Sequence, residues 1–553
     1  MKKDSLIKGT LILAMAALVA RMLGIFQRVP LEHMLSKEGL ASFTVSNNLY
    51  LTLLIVATGG IPSAISKMVS ERYALGRQQE AQRIYKAALL FGLVTGLILS
   101  TLLYVFAEQL AVSQDLPDAV FAIRAIAPTL LLFPLIAMMR GYFQGRQLMM
   151  AGGLSQIMEQ IMRVVVGVGL AILVLAWGWG DQLAAAAASF GNFFGAIGAI
   201  LVMVWYAVKL RRTDKLEMDN WPADSEAAKT IALQKAEASR IPFRAIYREI
   251  FSISIPIVVT AITVQLIYMV DNYLLMKLRA GVYSYDQAIE ILADFGGKAQ
   301  SIAGIPPILA IALSTSIIPV ISSAFSVRNM SEVNRQTSLV MRIVLFTGIP
   351  AALTLAVLAY SVTGLLFTGP QGSGIVAALT AGTIFQATMM ISNSVLSGLG
   401  RPRLAMYNTL IGIGLKLVAS FVLAPIFGIY GLIAASTLCF IFITWFNLQS
   451  IRTYVQFNVL GRRWMPYIAA VLLSMAAGWG ADKGLRWLLE GSELPDRLAY
   501  LISLIVAGVV IGGLYLGLLI LLRVVTAEDV KTFPGPLRKL FAKLFRLTGR
   551  AAV

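Results

Sequence analysis

Long apolar runs, each of a length that can cross a bilayer, alternate with short polar segments along almost the whole chain. A transmembrane helix needs about 20 mostly apolar residues. Runs of this kind fall at 8–28, 40–66, 84–107, 119–143, 153–178, 182–208, 249–276, 289–324, 338–360, 374–398, 404–425, 429–450, 464–481 and 499–522. The pattern predicts an all-α polytopic membrane protein with fourteen transmembrane helices. Composition supports this class, because 58% of the 553 residues are hydrophobic and only 13% are charged.

A polar linker, 209–248, separates two groups of six predicted helices. Short motifs recur in the two groups about 250 residues apart, as duplication would produce. The matched pairs are Ile61–Ser66 with Ile318–Ser322, Glu80–Arg83 with Glu332–Arg335, Gly145–Leu148 with Gly400–Arg403, and Arg163 with Lys416. We therefore expect two parallel six-helix repeats, an N lobe and a C lobe, followed by two further helices and a basic tail. Their predicted bounds are 1–208, 249–450, 451–525 and 526–553.

Glycine and proline interrupt the second and eighth predicted helices at matching places, Gly59–Pro62 and Gly304–Pro307. Interrupted helices in corresponding positions of two repeats are typical of a binding site at the repeat interface. The alternative is that these prolines are tolerated kinks that affect only the shape of the helix.

The net charge of +18 is concentrated on one side of the predicted membrane, which holds most of the 46 lysines and arginines. The positive-inside rule then places both termini in the cytoplasm. The tail pattern predicts an amphipathic helix on anionic membrane lipids, with a calmodulin-like partner as the alternative, and it is too apolar for nucleic acid. One cysteine, Cys439, and one histidine, His33, argue against a disulfide framework, a zinc site or a histidine-based triad. We expect no cofactor and no metal site.

Five cations fall inside predicted spans, where facing lipid is costly: Arg21, Arg124, Arg163, Lys298 and Lys416. In the first helix Arg21, Gly24 and Arg28 share one face, because they stand at i, i+3 and i+7. That face is predicted to look into a polar cavity. Simpler readings remain open. Arg28 and Arg124 are near helix ends and can reach the interface, and two cations have an acid at i−4, which gives the pairs Glu159–Arg163 and Asp294–Lys298.

These residues resemble the multidrug/oligosaccharidyl-lipid/polysaccharide (MOP) exporter superfamily, and within it the branch of lipid II flippases, stage V sporulation protein B and polysaccharide biosynthesis proteins. The resemblance rests on segments 8–31, 59–76, 133–149, 155–165 and 305–325. It implies two lobes around a central cavity, two C-terminal helices lining a lipid groove, and a location in the bacterial plasma membrane. It also implies transport of an undecaprenyl-pyrophosphate-linked sugar, such as the peptidoglycan precursor lipid II, from the inner to the outer leaflet.

The resemblance carries Arg21 and Arg28 onto the two arginines of the family's first helix, beside Gly24. Arginine forks suit phosphate oxygens. Lys298 stands one turn before the family's basic position in helix 8, which Ser301 occupies here. These five residues form the predicted substrate-binding set.

Some relatives bind sodium through an acid on helix 7 and polar groups on helix 11. Asp271 fits the acid, but helix 11 offers Lys416, so we expect these two to pair and expect no sodium dependence.

We expect that the protein is not an enzyme, because the outer loops are short and carry no catalytic cluster. We also expect a monomer. The alternative cargoes are another lipid-linked polysaccharide unit or a spore-cortex precursor. A multidrug exporter is a rival in the same fold, although a drug cation would favour acids in the cavity. A scaffold without transport activity is the third class.

Overall fold

The computed structural model describes residues 6–113, 117–219, 241–278, 283–284, 287, 291, 294–367, 369–490 and 494–525. In this part of the chain all the regular elements are helices. Eleven of them are long and apolar enough to cross a membrane, or twelve when one bent pair counts as a single span. The chain is therefore a multi-pass membrane protein. The predicted tail helix at 526–553 and the middle of the linker, 220–240, lie outside the described residues.

The helices are numbered in chain order. Before the linker they are α1 (Leu6–Met34), α2 (Lys37–Thr58), α3 (Ile61–Ala74), α4 (Gln78–Val105), α5 (Ala107–Ser113), α6 (Val120–Ile126), α7 (Thr129–Gly145), α8 (Met149–Ala176) and α9 (Asp181–Asp219). After it come α10 (Phe243–Ala261), α11 (Thr263–Leu278), α12 (Gln300–Ala303), α13 (Pro307–Ser326), α14 (Met330–Ile343), α15 (Ile349–Val357), α16 (Ala359–Leu366), α17 (Ser373–Gly398), α18 (Pro402–Phe427), α19 (Ile429–Arg452), α20 (Trp464–Leu489) and α21 (Asp496–Leu521).

The chain divides into two compact units. The first comprises Met1–Ala261 with the short segments Thr315–Asn329 and Ser397–Arg403, and the second comprises Ile262–Ser314, Met330–Leu396 and Leu404–Val553. The predicted lobe boundary was the linker, whereas the first unit also includes α10.

The predicted break in the second helix is present between α2 and α3. Gly60 has a left-handed backbone, φ 67°, and a Cβ there would lie 2.8 Å from the carbonyl oxygen of Ser254 on α10. Glycine is needed both for this backbone and for the close approach. Pro62 stands in the first turn of α3, where its missing N–H costs no helical bond. The break in the eighth helix is also present, between Ala303 and Pro307.

Several helices differ from the sequence prediction. The run 119–143 is bent by 41° between α6 and α7, next to Pro128, which has no N–H to donate. At the linker, α9 continues to Asp219 and α10 begins at Phe243, so both helices extend beyond the apolar segments. Lysine and arginine are good helix formers, and a helix that leaves the membrane through such residues does not need to end there.

The ninth predicted helix contains a π-helical segment, Val344–Gly348, between α14 and α15. The N–H of Ile349 bonds to the carbonyl of Val344, five residues earlier, and the next residue is Pro350, which has no N–H. Two carbonyls therefore lack a partner within the helix. The hydroxyl of Tyr467 on α20 donates to Leu345 O at 2.6 Å, and that of Tyr515 on α21 donates to Phe346 O at 3.0 Å.

Candidate functional site

The first helix carries three residues of the predicted substrate-binding set, Arg21, Gly24 and Arg28. Their backbone lies in α1, and their side chains are outside the described part of the chain. The helix itself can be placed against α8. A Cβ on Gly153 would lie 3.0 Å from Ile12 Cγ2, and one on Gly167 would lie 3.4 Å from Gln27 Nε2. The two helices therefore run parallel.

This register relates α1 to a cation on α8. The contacts at Gly153 and Gly167 show that each residue of α8 lies level, along the helix axes, with the residue of α1 about 140 positions earlier in the chain. The turn of α1 that carries Arg21 and Gly24 thus lies at the level of Arg163. The predicted arginine face and the charged segment of α8 share one cross-section of the first unit.

Glu159 on α8 lies between two arginines. Arg140 Nη2 on α7 is 2.9 Å from Glu159 Oε2, and Arg163 Nη2 is 3.0 Å from Glu159 Oε1. Arg140 also donates to Ser155 Oγ, at 2.8 Å from Nη2. Glu159 is only 6% exposed. We call Arg140, Glu159 and Arg163 the arginine triad. It holds two positive charges and one negative charge, so one positive charge is left over inside an apolar helix bundle.

The triad extends what the sequence indicated. The predicted i, i+4 pair Glu159–Arg163 forms, but sequence reasoning did not single out Arg140 as a second partner of Glu159. Arg140 lies inside α7, is 14% exposed and bonds to α8. The signal was available, because the apolar run 119–143 already contained it.

Small residues hold the triad in place by letting α8 and α9 approach closely. A Cβ on Gly191 would overlap with Gly167 Cα, and one on Gly195 would lie 2.8 Å from the carbonyl oxygen of Glu159. Close backbone approach of this kind is typical of helix packing in membranes. The backbone that carries Glu159 is therefore fixed against α9.

The second unit contains the predicted pair Asp271–Lys416. Lys416 Nζ on α18 lies 2.6 Å from Asp271 Oδ1 on α11, and both side chains are 1% exposed. Ser436 on α19 donates its hydroxyl to Asp271 Oδ2 at 2.7 Å. The hydroxyl of Ser420, one turn after Lys416, is buried without a hydrogen-bond partner within the described residues. Three helices thus meet at one neutral ion pair.

Lys298 is held by its own helix turn. Its Nζ lies 2.7 Å from Asp294 Oδ1 and donates to the carbonyl oxygen of Gln371 at 3.1 Å. Its side chain is 20% exposed. Ser301 is exposed one turn later. The i, i+4 pairing that the sequence left open is therefore present, and Lys298 carries no excess charge.

Arg124, the remaining cation inside a predicted span, is near a helix end. Its side chain is 41% exposed, lies 4.0 Å from Glu108 and stacks over the ring of Tyr104 at 5.7 Å. Sequence reasoning did not single out a different buried cation, Lys67, which directly follows the predicted run 40–66. Lys67 lies in α3, is 6% exposed and pairs with Glu71 at i+4. In the described ranges no cluster of three His, Cys, Asp or Glu side chains has the arrangement of a metal site.

The family model for polysaccharide biosynthesis proteins matches residues 6–325, more than half of the chain. The chain belongs to the polysaccharide biosynthesis protein family. The match includes α1, the arginine triad and the break at Gly60. It confirms the predicted placement in the MOP exporter superfamily, in the branch that includes the relatives below.

Relatives of this polysaccharide biosynthesis family member span nearly its whole length. Lipid II flippase MurJ of Bacillus subtilis (strain 168) is 26% identical over 536 residues, which cover 93% of this chain and 94% of that protein. Stage V sporulation protein B of the same strain is 24% identical over 545 residues, which cover 97% and 98%. The named relatives are a flippase and a sporulation protein.

Solved structures show the fold. The MATE transporter VcmN of Vibrio cholerae, in its bent form, superposes with a TM-score of 0.62 at 14% identity and covers 82% of this chain and 99% of that one. A MOP superfamily transporter from Pyrococcus furiosus gives a TM-score of 0.63 at 12% identity, with 81% and 97% covered. The chain therefore has a MATE-like fold, and the regular elements in its described residues are all helices.

Proposed function

We propose that this chain is a flippase for an undecaprenyl-pyrophosphate-linked sugar, with lipid II as the first candidate cargo. It moves the headgroup from the inner to the outer leaflet by alternating access. The similarity to MurJ over nearly the full length of both chains supports this class of cargo.

The observation that carries the proposal is the uncompensated positive charge of the arginine triad. Among the described side chains, Arg140 and Arg163 share the acid Glu159, in a helix bundle where an unneutralised cation is costly. A pyrophosphate supplies the missing negative charge, and arginine forks bind its oxygens through paired hydrogen bonds. A drug cation would be repelled from the same place. Because the triad lies level with Arg21, we assign phosphate binding to Arg21 and Arg28. The extra positive charge of the triad adds to the positive electrostatic potential at this site. Gly24, Lys298 and Ser301 complete the proposed substrate contacts.

The proposed architecture has fourteen transmembrane helices in two parallel six-helix repeats and a C-terminal hairpin. Left-handed turn residues support the duplication. Gly76 precedes α4 and Arg328 precedes α14, and Gln147 precedes α8 where Gly400 precedes α18. Each pair is about 250 residues apart, like the repeated motifs.

The proposal also covers the lobes, the lipid groove, the basic tail, the orientation and the location of the protein. The proposed transport unit comprises the N lobe, 1–208, and the C lobe, 249–450, and α20 and α21 within 451–525 line a groove for the lipid tail. The tail 526–553 binds anionic lipids, both termini are cytoplasmic, and the protein acts as a monomer in the bacterial plasma membrane. The clustering of basic residues at one end of the helices supports this orientation.

In the C lobe we propose that Lys416 takes the place of a soluble cation. Its ammonium already neutralises Asp271, so the site needs no sodium. Transport then depends on the membrane potential or on protons.

Two other cargoes remain as candidates within the proposal. Similarity to stage V sporulation protein B favours a spore-cortex precursor or another lipid-linked polysaccharide unit as the second choice. Export of drug cations is third, because the charge left over in the triad is positive.

Complementation tests the function directly. The chain is expressed in bacterial cells that are depleted of their own lipid II flippase, and growth is followed together with the amount of lipid II exposed on the outer leaflet. We expect growth and outer-leaflet lipid II to recover. Normal membrane abundance without any recovery would exclude lipid II as the cargo and favour the second choice.

A further inference from the structure

A cavity of about 330 Å³ opens between α4, α7 and α9 in the first unit, near the ends of these helices that carry most of their charged residues. Its polar lining comprises Gln82, Tyr85, Lys86, Tyr142, Arg211 and Asp214. None of these residues belongs to the proposed substrate contacts or to the arginine triad. The volume is at the lower end of the range for small-molecule pockets, so it suits a compact headgroup.

Two cations of this cavity are available for a ligand. Lys86 and Arg211 are exposed, and neither forms an ion pair with an acid in the described ranges. The acid in the lining, Asp214, is already neutralised, because Arg146 donates to its two oxygens at 2.7 and 3.0 Å. The cavity therefore keeps an excess of positive charge and favours an anion.

Aromatic and hydroxyl contacts fix the tyrosines of the polar lining. The rings of Tyr85 and Tyr142 stack with centroids 4.1 Å apart and 19° between their planes. The Tyr142 hydroxyl lies 3.1 Å from that of Tyr73. Phenol and amide groups donate neutral hydrogen bonds, and Lys86 and Arg211 donate charge-assisted ones. This is the chemistry that a phosphate group requires.

Apolar side chains lead from the cavity along the outside of the bundle. On α4, Leu90 is 45% exposed and Val94 is 48% exposed, one and two turns beyond Lys86. On α9, Val204 is 46% exposed and Val208 is 45% exposed, just before Arg211. A soluble phosphate would not contact these exposed apolar side chains, whereas the acyl chains of a lipid would cover them.

We propose that the cavity binds the phosphate headgroup of an anionic phospholipid of the cytoplasmic leaflet, with its acyl chains on the exposed faces of α4 and α9. Its lining residues are different from the proposed substrate contacts. The proposal rests on the proposed orientation of the chain but not on which sugar is carried. A bound lipid would contact all three helices and so hold this end of the N lobe together.

The test uses the full-length protein in detergent and measures its thermal unfolding midpoint during titration with phosphatidylglycerol. Parallel titrations use phosphatidylcholine and glycerol 3-phosphate. We expect phosphatidylglycerol alone to raise the midpoint. Removing both charge-assisted contacts in the double variant Lys86→Gln/Arg211→Gln is expected to weaken the apparent affinity about tenfold or more.

Two further variants control for charge and for folding. The matched double variant Lys209→Gln/Arg212→Gln removes the same net charge from exposed positions of α9 outside the cavity lining. It should change the affinity less than about threefold. Ala207 lines the cavity, so Ala207→Phe should fill it and weaken binding without changing any charge. It also tests the site if the first double variant does not fold.

Three results would overturn the proposal. They are equal loss in the two double variants, an Ala207→Phe protein that binds phosphatidylglycerol like the original chain, or an equal midpoint rise with glycerol 3-phosphate, which would indicate a soluble anion. Binding is measured on purified protein, so the outcome does not depend on complementation. A chain that fails to restore growth can still pass this test.

Discussion

Lys416 Nζ lies 2.6 Å from Asp271 Oδ1, and both side chains are almost completely buried. Removing one member of a buried pair leaves a lone charge, which typically costs about 3–5 kcal/mol, whereas replacing both members can be nearly neutral. We therefore expect Asp271→Asn and Lys416→Met each to lower abundance or transport, and the double variant to recover part of the loss. Membrane abundance and complementation measure this.

The same pair makes a prediction about ions. If the ammonium of Lys416 fills the cation position, transport in reconstituted vesicles should not change when sodium is replaced by potassium. Additive defects in the double variant, or a strict requirement for sodium, would show that Asp271 serves a soluble ion and that the pair has another role.

Two variants of the arginine triad distinguish an effect of charge on transport from an effect on folding. Glu159→Gln leaves Arg140 and Arg163 without their shared acid, so we expect a large loss of abundance, by the cost of about 3–5 kcal/mol for a broken buried pair. Arg163→Gln leaves the neutral pair Arg140–Glu159 intact. That variant should reach normal abundance and still lose transport. Full transport by Arg163→Gln would show that the extra positive charge has no part in moving the cargo.

The first helix supplies the most direct test of phosphate binding. Arg21→Ala and Arg28→Ala should each abolish complementation at unchanged membrane abundance, because each removes a phosphate fork and not a packing group. Arg124→Ala is the matched control, since Arg124 is partly exposed and paired with Glu108. Growth should be normal with this control. Growth with either helix 1 variant would contradict its assigned role.

Accessibility to thiol reagents tests for a water-filled cavity. Cys439 is buried and can be replaced, which gives a background without cysteine. Single cysteines at Ala14, in the first half of α1, and at Ser63, beside Pro62, should then react with a membrane-impermeant thiol reagent. Uniform protection at both positions would mean that no aqueous cavity reaches them, and alternating access by this route would be excluded.

Sequence reasoning was most successful where one residue type determines the local structure. The motif Gly59–Pro62 predicted the break in the second helix. The structure shows the reason, because the backbone at Gly60 is left-handed and lies against a tight contact that leaves no room for a side chain. The pairing of Asp271 with Lys416 was expected from the resemblance to relatives that bind sodium through an acid on helix 7 and groups on helix 11, where this chain has a lysine, and the pair is present.

Other features depend on tertiary contacts that no local pattern records. Asp482 is 1% exposed and accepts hydrogen bonds from Ser361 and Ser503, while Arg486 pairs with it one turn later. The predicted apolar run ends at 481, before Asp482 and Arg486. The helix continues because these partners, one of them about 120 residues earlier in the chain, satisfy the acid inside the bundle.

The π-helical segment Val344–Gly348 has a consequence for rotation. A wider turn adds one residue to a helix, so the part beyond it is turned by about 100° relative to a continuous α-helix. The bonds from Tyr467 and Tyr515 satisfy the two carbonyls that this arrangement leaves over. Straightening the segment would break both bonds and swing every side chain of α15 to a different face. The hydrogen bonds from α20 and α21 therefore determine which side chains of α15 face the neighbouring helices, although α15 precedes α20 by more than 100 residues.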